Sequence, residues 1–253
     1  MKITRFITLA AVALATVVSL PACSDKHSDD GLQLRRFSIN AESSQFKYDA
    51  DGRWTDADKG GPNEFAQRGL YFSHIVNPAQ GTIYGFEPSM VSNTTITEGI
   101  SGYMCAPMGY KTNVSQLAYF NVHFNPNENT DDMPLAPSCK IHTMSGYTFY
   151  PVNVIISNNS LTYDAMKSTF TTSGKCELLV YGYGEGKVKG PVRTTLGSAS
   201  LSGFTGLEHW TTINLESLGQ CDYIFFQMVS TDASKSLPTY FSLYSIELQM
   251  VSY

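Results

Sequence analysis

Residues that could carry out catalysis lack the spacing that known mechanisms require. The sequence contains neither the G-x-S-x-G turn of a serine hydrolase nor the H-E-x-x-H pair of a zinc enzyme. Residues 184–187 (GEGK) resemble a phosphate-binding loop, but Val188 follows where serine or threonine is needed, so a hairpin turn is predicted. Acidic residues fall mostly in turns and not as the facing pair that glycoside hydrolysis needs. We therefore expect no enzymatic activity and no cofactor.

Histidines and cysteines show no metal-binding pattern. His123 and His142 approach each other only if their strands pair, and no third ligand accompanies them. The cysteines that follow Cys23 permit two disulfides in three connectivities, but they have no C-x-x-C spacing and occupy apolar segments where a free thiol is common. They are Cys105, Cys139, Cys176 and Cys221. We expect free or partly paired cysteines and no metal site.

Aromatic side chains are the best candidates for ligand contacts. They form 12% of the chain, and a flat, rigid ring stacks on a sugar or a planar macrocycle at a small entropic cost. The glycine-rich residues 99–110 (GISGYMCAPMGY) either fold back as a lid on the core or line the mouth of a pocket. The alternative for every ring is that it plugs the end of the domain. The predicted ligand contacts are Trp54, Tyr84, Phe86, Tyr103, Met104, Met108 and Tyr110.

The first 31 residues predict an export signal followed by a lipid anchor. Lys2 and Arg5 precede an apolar run, residues 6–20, which has the length of a signal peptide and is short for a membrane span. The stretch 20–23 (LPAC) resembles the lipobox of bacterial lipoproteins, so residues 1–22 are the expected signal peptide and Cys23 the expected lipidation site. An ordinary secretory signal is the alternative. Residues 23–31 form a polar, acidic tether.

Residues 32–253 predict a single all-β domain, a jelly-roll-like β-sandwich. Short segments such as 117–124 (LAYFNVHF) alternate between the two faces of a strand, and only residues 163–168 indicate a helix. The alternation slips by one residue between Leu243 and Ile246, which predicts a β-bulge. The net charge of −5 disfavours nucleic acid, whose phosphates require basic partners.

Four segments resemble the DUF4465 family, whose members are surface lipoproteins of Gram-negative gut-type bacteria. The segments are residues 83–89 (IYGFEPS), 154–163 (VIISNNSLTY), 178–182 (LLVYG) and a C-terminal part that includes 210–219 (WTTINLESLG), 230–232 (STD) and 238–241 (PTYF). The similarity extends over residues 65–248. It implies a jelly-roll-like sandwich on the outer membrane, and some relatives bind cobalamin. Tyr244 and Ser245 replace the Asp-Asn of the family pattern, and loops carry specificity, so the ligand does not transfer with the fold.

The sequence thus favours a cell-surface lipoprotein of the outer membrane that captures a small nutrient for uptake. The expected ligand is a corrinoid such as vitamin B12 or a glycan, the expected partner is an outer-membrane transporter, and the lipid is the expected contact with the membrane. One alternative is a structural or adhesive protein that binds another protein and packs its aromatic residues inward. A further alternative is a glycan-active hydrolase with two facing carboxylates. Ligand identity, membrane face, disulfide state and oligomeric state stay open at this point.

Overall fold

The computed structural model describes residues 33–42, 44–55, 63–77, 81–110, 117–128, 137–144, 147–232, 234 and 236–252. Cys23, the signal peptide and the tether lie outside these residues, so lipidation of Cys23 stays a prediction.

The described residues form thirteen strands and one α-helix, which confirms the predicted all-β fold. Within these ranges, no helix has the length and apolar character needed to cross a membrane. The elements are β1 (Gln33–Asn40), β2 (Glu64–Gln67), β3 (Leu70–Asn77), β4 (Thr82–Ser89), β5 (Tyr119–His123), β6 (Lys140–Thr143), β7 (Phe149–Asn158), α1 (Ser160–Thr169), β8 (Gly174–Gly184), β9 (Lys187–Ser200), β10 (Gly203–Gly206), β11 (Thr211–Asn214), β12 (Tyr223–Ser230) and β13 (Tyr240–Ser252).

The strands form one continuous antiparallel sheet that folds over at β3 into two layers. The first half of β3 pairs with β2 and β6, and its second half pairs with β4. We call the layer of β1, β4, β5, β7, β11 and β13 sheet I, and the layer of β2, β6, β8, β9, β10 and β12 sheet II. The two layers are therefore the halves of a sandwich that share β3 as a corner.

Phenylalanine side chains join the two sheets through the core. Phe226 of β12 in sheet II lies 5.9 Å from Phe86 of β4 and 5.6 Å from Phe241 of β13, measured between ring centroids. All three rings are buried, and each alternates along its strand with residues that point outward. Each sheet therefore has one inner, apolar face and one outer face. The exposure of the outer face to solvent depends on which other parts of the chain cover it.

Local sequence signals explain several of these elements. Glu185 and Gly186 both have positive φ, as a two-residue hairpin turn requires, so the predicted turn at 184–187 is confirmed. The pairing of β13 with β7 shifts between Leu243 and Ser245, which is the predicted bulge. Helix α1 is longer than predicted because Asn159 caps it, with its side-chain oxygen accepting from the Leu161 N–H at 3.0 Å.

Although proline often ends a strand, Pro88 lies inside β4. It pairs with Phe120 inside β4, and the strand continues to Ser89. The four cysteines downstream are all free thiols and all buried. Burial raises the pKa of each thiol, so these sulfurs stay protonated and behave as core residues.

Candidate functional site

The outer face of sheet I is covered by residues 90–110, which we call the strap. The strap contains the glycine-rich segment 99–110 and a short 3-10 turn, Gly102–Met104. Of the two roles considered for this segment, the structure shows the lid, because the strap lies over strands β4, β5, β7 and β13. The Asn121 and Asn159 amides both donate to the Gly102 carbonyl, at 2.8 and 2.9 Å. Gly109 N–H donates to Ser157 Oγ at 3.0 Å.

The strap buries the outer face of sheet I. Four polar residues lie side by side on β4, β5, β13 and β7, and each is at most 2% exposed. They are Glu87, Asn121, Ser242 and Ser157. Buried polar groups need hydrogen-bond partners, and the strap supplies the Gly102 carbonyl to Asn121 and the Gly109 N–H to Ser157. These two side chains therefore attach the strap to the sheet.

Two of the predicted ligand contacts are core residues, which corrects the prediction that they face a ligand. Phe86 is 0% exposed because it points between the sheets. Tyr103 is 7% exposed because the strap presses its ring against the sheet, where the hydroxyl donates to the Ile83 carbonyl. Burial holds the pKa of Tyr103 well above its usual value, so the phenol keeps the proton that it donates.

The remaining predicted contacts are half-buried and lie in or beside the strap. Trp54 packs with its ring 5.9 Å from Phe46 and 5.1 Å from His74. Tyr84 lies on β4 with its ring 4.8 Å from that of His123. Met104, Met108 and Tyr110 belong to the strap itself, and each keeps part of its surface exposed. Ligand contact by these five residues stays a prediction.

His123 and His142 lie in different sheets, so the structure does not bring them together. His123, on β5, stacks on Tyr240 with the ring centroids 3.9 Å apart, and its Nδ1 lies 2.6 Å from the Ile83 carbonyl oxygen. Burial lowers the pKa of His123 to about 4, so the ring is neutral near pH 7. His142, on β6, faces outward from sheet II. Within the described ranges, no cluster of three or more histidine, cysteine or acidic side chains could hold a metal.

The outer face of sheet II carries aromatic side chains at neighbouring positions on four adjacent strands. The register places Tyr183 of β8 beside Tyr223 of β12, then His142 of β6, then Tyr71 of β3. Stacked pairs form along it: Tyr183 with Tyr223 at 4.8 Å, and Tyr71 with His142 at 5.2 Å. All four side chains are half-buried. We call this row, together with the next stacked pair, Tyr181 and Phe225 at 4.9 Å, the aromatic face.

A hollow of about 470 Å³ opens on the aromatic face between His142 and Tyr223, and we call it the surface hollow. Two of its residues lie in the β6–β7 connection and are among the most exposed large apolar side chains of the described residues: Met144 at 58% and Tyr147 at 51%. The described lining residues are Lys140, His142, Thr143, Met144, Tyr147, Asp222 and Tyr223. The site thus combines apolar surface with one ammonium, one carboxylate and several neutral polar groups.

Hydrogen bonds fix the walls of the surface hollow. Thr143 Oγ1 donates to the Tyr147 carbonyl at 2.6 Å, which ties both ends of the connection together. His142 is held from both sides, with Nδ1 2.8 Å from the Thr143 carbonyl oxygen and Nε2 2.8 Å from Glu64 Oε2. Asp222 N–H donates to the Tyr183 carbonyl at 2.7 Å. Because these residues are held in place, a ligand would find the site already formed.

The electrostatics of the surface hollow suit a ligand with both donors and acceptors. The Lys140 ammonium lies 5.9 Å from the centroid of the Tyr223 ring, within the range of a cation–π contact. Burial, with smaller contributions from Tyr183 and Asp222, raises the pKa of Tyr223, so its phenol remains a donor. Lys140 and Tyr223 therefore supply donors, and Asp222 supplies an acceptor.

The sequence carried a signal for the aromatic face that the predictions did not use. Tyr181 and Tyr183 alternate with Gly182, and Tyr223 and Phe225 alternate with Ile224, so each pair shares one face of its strand. What the sequence lacked was the register between strands that are far apart in the chain.

The fold is that of solved DUF4465 proteins. No protein-family model matches the chain, and no curated protein matches it. Among solved structures, a DUF4465 family protein from Bacteroides caccae superposes with a TM-score of 0.61 at 16% identity, covering 84% of this chain and 98% of that one. A DUF4465 family protein from Bacteroides ovatus superposes with a TM-score of 0.55 at 13% identity, covering 85% and 99%. The resemblance found in the sequence is thus confirmed at the level of the fold.

Proposed function

We propose that this chain, which has the DUF4465 fold, is a surface-anchored binding protein that captures a nutrient in the surface hollow for uptake. The observation that supports this proposal is the hollow itself, in which the rings of Tyr147 and Tyr223 border Lys140 and Asp222. Ligand sites in proteins combine mostly apolar walls with a few placed polar groups, and this hollow has both.

A glycan fits this site better than a corrinoid. A volume of about 470 Å³ lies within the range of roughly 300–1,000 Å³ that small-ligand sites occupy. One or two sugar rings fill such a space, with an apolar sugar face on an aromatic ring and hydroxyl groups toward Lys140 and Asp222. A corrinoid is much larger and would extend from the hollow over Tyr183 and Tyr181. We therefore propose a glycan as the main ligand and a corrinoid as the second candidate.

The proposed activity is capture without turnover. Among the described lining residues, Asp222 is the one carboxylate, whereas glycoside hydrolysis uses two that face each other across the bond to be cleaved. The nearby Glu64 contacts His142 at 2.8 Å, so its carboxylate holds a lining side chain of the hollow in place. Chromatography of a glycan recovered after incubation with the protein checks this, because shortened products would contradict simple capture.

Calorimetric titration of the protein with cyanocobalamin and with a panel of oligosaccharides tests the proposed site. Tyr147→Ala should weaken binding about tenfold, a loss of about 1.4 kcal/mol, while leaving stability nearly unchanged because the ring is half exposed. The matched control is Tyr110→Ala, which removes a half-buried tyrosine of the strap. An affinity that falls with Tyr110→Ala and not with Tyr147→Ala would move the site to the strap. Absence of binding to every probe would favour the protein-binding alternative.

The proposed location, the outer membrane, depends on lipidation of Cys23. Several acyl chains hold a protein stably on a membrane, so removal of the acceptor thiol should release it. We expect Cys23→Ala to appear in the soluble fraction after cell lysis and to lose incorporation of labelled palmitate, whereas Ser24→Ala retains both. Membrane association of Cys23→Ala would contradict a lipid anchor.

A further inference from the structure

A second cavity, of about 340 Å³, lies at the opposite end of strand β12 from the surface hollow. Tyr223 at the start of β12 lines the hollow, and Val229 and Ser230 at its end line this cavity. The cavity opens between the two sheets, since Phe124 directly follows β5 of sheet I and Cys176 belongs to β8 of sheet II. We call it the end cavity. None of its described lining residues lines the surface hollow, so a ligand here is a separate question from the proposed function.

The floor of the end cavity is apolar. Phe124, Cys176, Met228 and Leu237 line it, and each is a buried residue of the hydrophobic core. The cavity therefore reaches core side chains that are otherwise shielded from solvent. A short hydrocarbon chain placed there would gain free energy by leaving water, at roughly 0.8 kcal/mol per buried methylene.

Among the described residues, the rim of the end cavity carries two carboxylates and no basic side chain. Glu128 and Asp232 supply two carboxylates, and no lysine, arginine or histidine is among the described lining residues. The Thr239 hydroxyl already donates to the Phe124 carbonyl at 2.5 Å. No ion pair within the described residues involves either carboxylate. A ligand that complements this rim must bring donors and positive charge.

Both carboxylates are held in place by serines. Glu128 accepts from the backbone N–H of Ser138 and from its hydroxyl, the latter at 3.0 Å. Asp232 accepts from the N–H and hydroxyl groups of Ser234 and Ser236, at 2.7 to 3.1 Å. A carboxylate offers about four acceptor positions, so Glu128 retains capacity for a ligand while Asp232 contributes its charge. Burial raises the pKa of Glu128, so this carboxylate gains from a cation beside it.

We propose that the end cavity binds a short primary alkylamine, with its ammonium group beside Glu128 and its hydrocarbon chain on the floor formed by Phe124, Met228 and Leu237. The ammonium group donates to the free acceptor positions of Glu128, and Asp232 adds a second negative charge at the rim. Alcohols of the same length lack the charge, and carboxylates of the same length carry the wrong sign.

Titration of the full chain in detergent, followed by NMR, with pentylamine, pentan-1-ol and pentanoate at pH 7 tests this inference. We expect pentylamine to bind at least tenfold more tightly than pentan-1-ol, and pentanoate to bind more weakly than both. Glu128→Gln should lower the affinity for pentylamine at least fivefold, whereas Glu98→Gln, at an exposed position in the strap, should leave it unchanged. Equal affinities for the amine and the alcohol, or an unaffected Glu128→Gln, would overturn the inference.

A filled cavity provides an independent arm of the test. Met228 alternates with outward-facing residues of β12 and faces the cavity floor, so Met228→Trp places a larger ring in the end cavity. This variant should lose pentylamine binding while the protein keeps its far-ultraviolet circular dichroism spectrum. Retained binding in a folded Met228→Trp variant would place the amine elsewhere and contradict the inference. Glycan or corrinoid binding at the surface hollow is measured in the same variants. Loss of support for the proposed function is therefore distinguishable from loss of support for amine binding in the end cavity.

Discussion

The two outer faces of this sandwich have similar side chains but differ in how much of them is exposed. On sheet I, Tyr119 is fully buried and His123 is 8% exposed. On sheet II, Tyr223 and His142 occupy comparable positions in the middle of their sheet and remain half exposed. The strap accounts for the difference, because it covers the first face and has no counterpart among the described residues over the surface hollow.

This comparison shows that aromatic content alone does not identify a binding face. On sheet I the polar groups hold the strap: Asn121 and Asn159 donate to the Gly102 carbonyl, and Tyr119 donates to the Val91 carbonyl at 3.0 Å. On sheet II no described segment covers the hollow, so side chains that line it, such as Lys140, Asp222 and Tyr223, keep part of their surface exposed to a ligand. A face becomes a candidate site when the chain leaves its polar groups accessible.

The largest expected loss of stability comes from removal of the Asn159 side chain, which connects the strap, sheet I and helix α1. Asn159 Nδ2 donates to the carbonyls of Gly102 and Cys105, and its Oδ1 caps α1. Asn159→Ala leaves buried partners unsatisfied and removes a cap, so we expect a loss of about 3–5 kcal/mol in the free energy of unfolding. Urea denaturation measures it, with the exposed Asn214→Ala as a control expected to lose about 1 kcal/mol or less. Similar losses in both variants would show that the strap is held elsewhere.

Because His123 is buried beneath the strap, the protein should be less stable at acidic pH. Burial lowers the pKa of His123 from 6.5 to about 4, so between these values the unfolded chain binds more protons than the folded one. Above pH 6.5, where His123 is neutral in both states, it does not reduce the free energy of unfolding. As the pH falls toward 4, the free energy of unfolding decreases by roughly 3 kcal/mol. Urea denaturation at pH 7 and pH 4 should show this difference in the wild type and a smaller one in His123→Phe. Identical pH profiles would mean that His123 is not shielded by the strap.

A glycine sets how closely the strap approaches the sheet. A Cβ atom added to Gly102 would lie 2.5 Å from ring carbons of Tyr240, so the strap or the ring must move. We expect Gly102→Ala to lose about 1–3 kcal/mol and to expose more aromatic surface. Thermal unfolding and binding of a hydrophobic dye measure the two effects. Gly99→Ala is the control within the strap, since its added methyl meets no atom within 4 Å and its positive φ of 75° costs about 1 kcal/mol.

Elements that depend on neighbouring residues were predictable from the sequence. The hairpin at 184–187 and the bulge after Leu243 follow from turn chemistry and from a break in alternation, and both are observed. Helix α1 was predicted too short because the capping role of Asn159 was not recognised. These features are encoded within a few residues, so one segment at a time is enough to find them.

The sites depend on contacts between distant residues, which explains why their prediction was incomplete. The strap is fixed by the bond from Asn159 to Gly102, which are 57 residues apart. The aromatic face needs β3, β6, β8 and β12 in one register, although Tyr71 and Tyr223 are far apart in the chain. Composition indicated aromatic residues as candidate contacts, but only the pairing of strands shows which of them the strap covers.

The smallest expected effect concerns the open face, and it separates the two proposed ligands. Tyr183 stacks on Tyr223 at 4.8 Å but does not line the surface hollow. Tyr183→Ala should cost about 0.5–1.5 kcal/mol in unfolding free energy, the value of one cross-strand aromatic pair. A glycan confined to the hollow should then keep its affinity within about twofold, whereas a corrinoid that extends over Tyr183 should bind about tenfold more weakly, or 1.4 kcal/mol. Calorimetric titration with both ligands measures the two affinities, and Tyr150→Ala on sheet I is the control. An equal loss for both ligands would mean that the site extends along the whole aromatic row, because only a longer site makes the Tyr183 ring a contact for each of them.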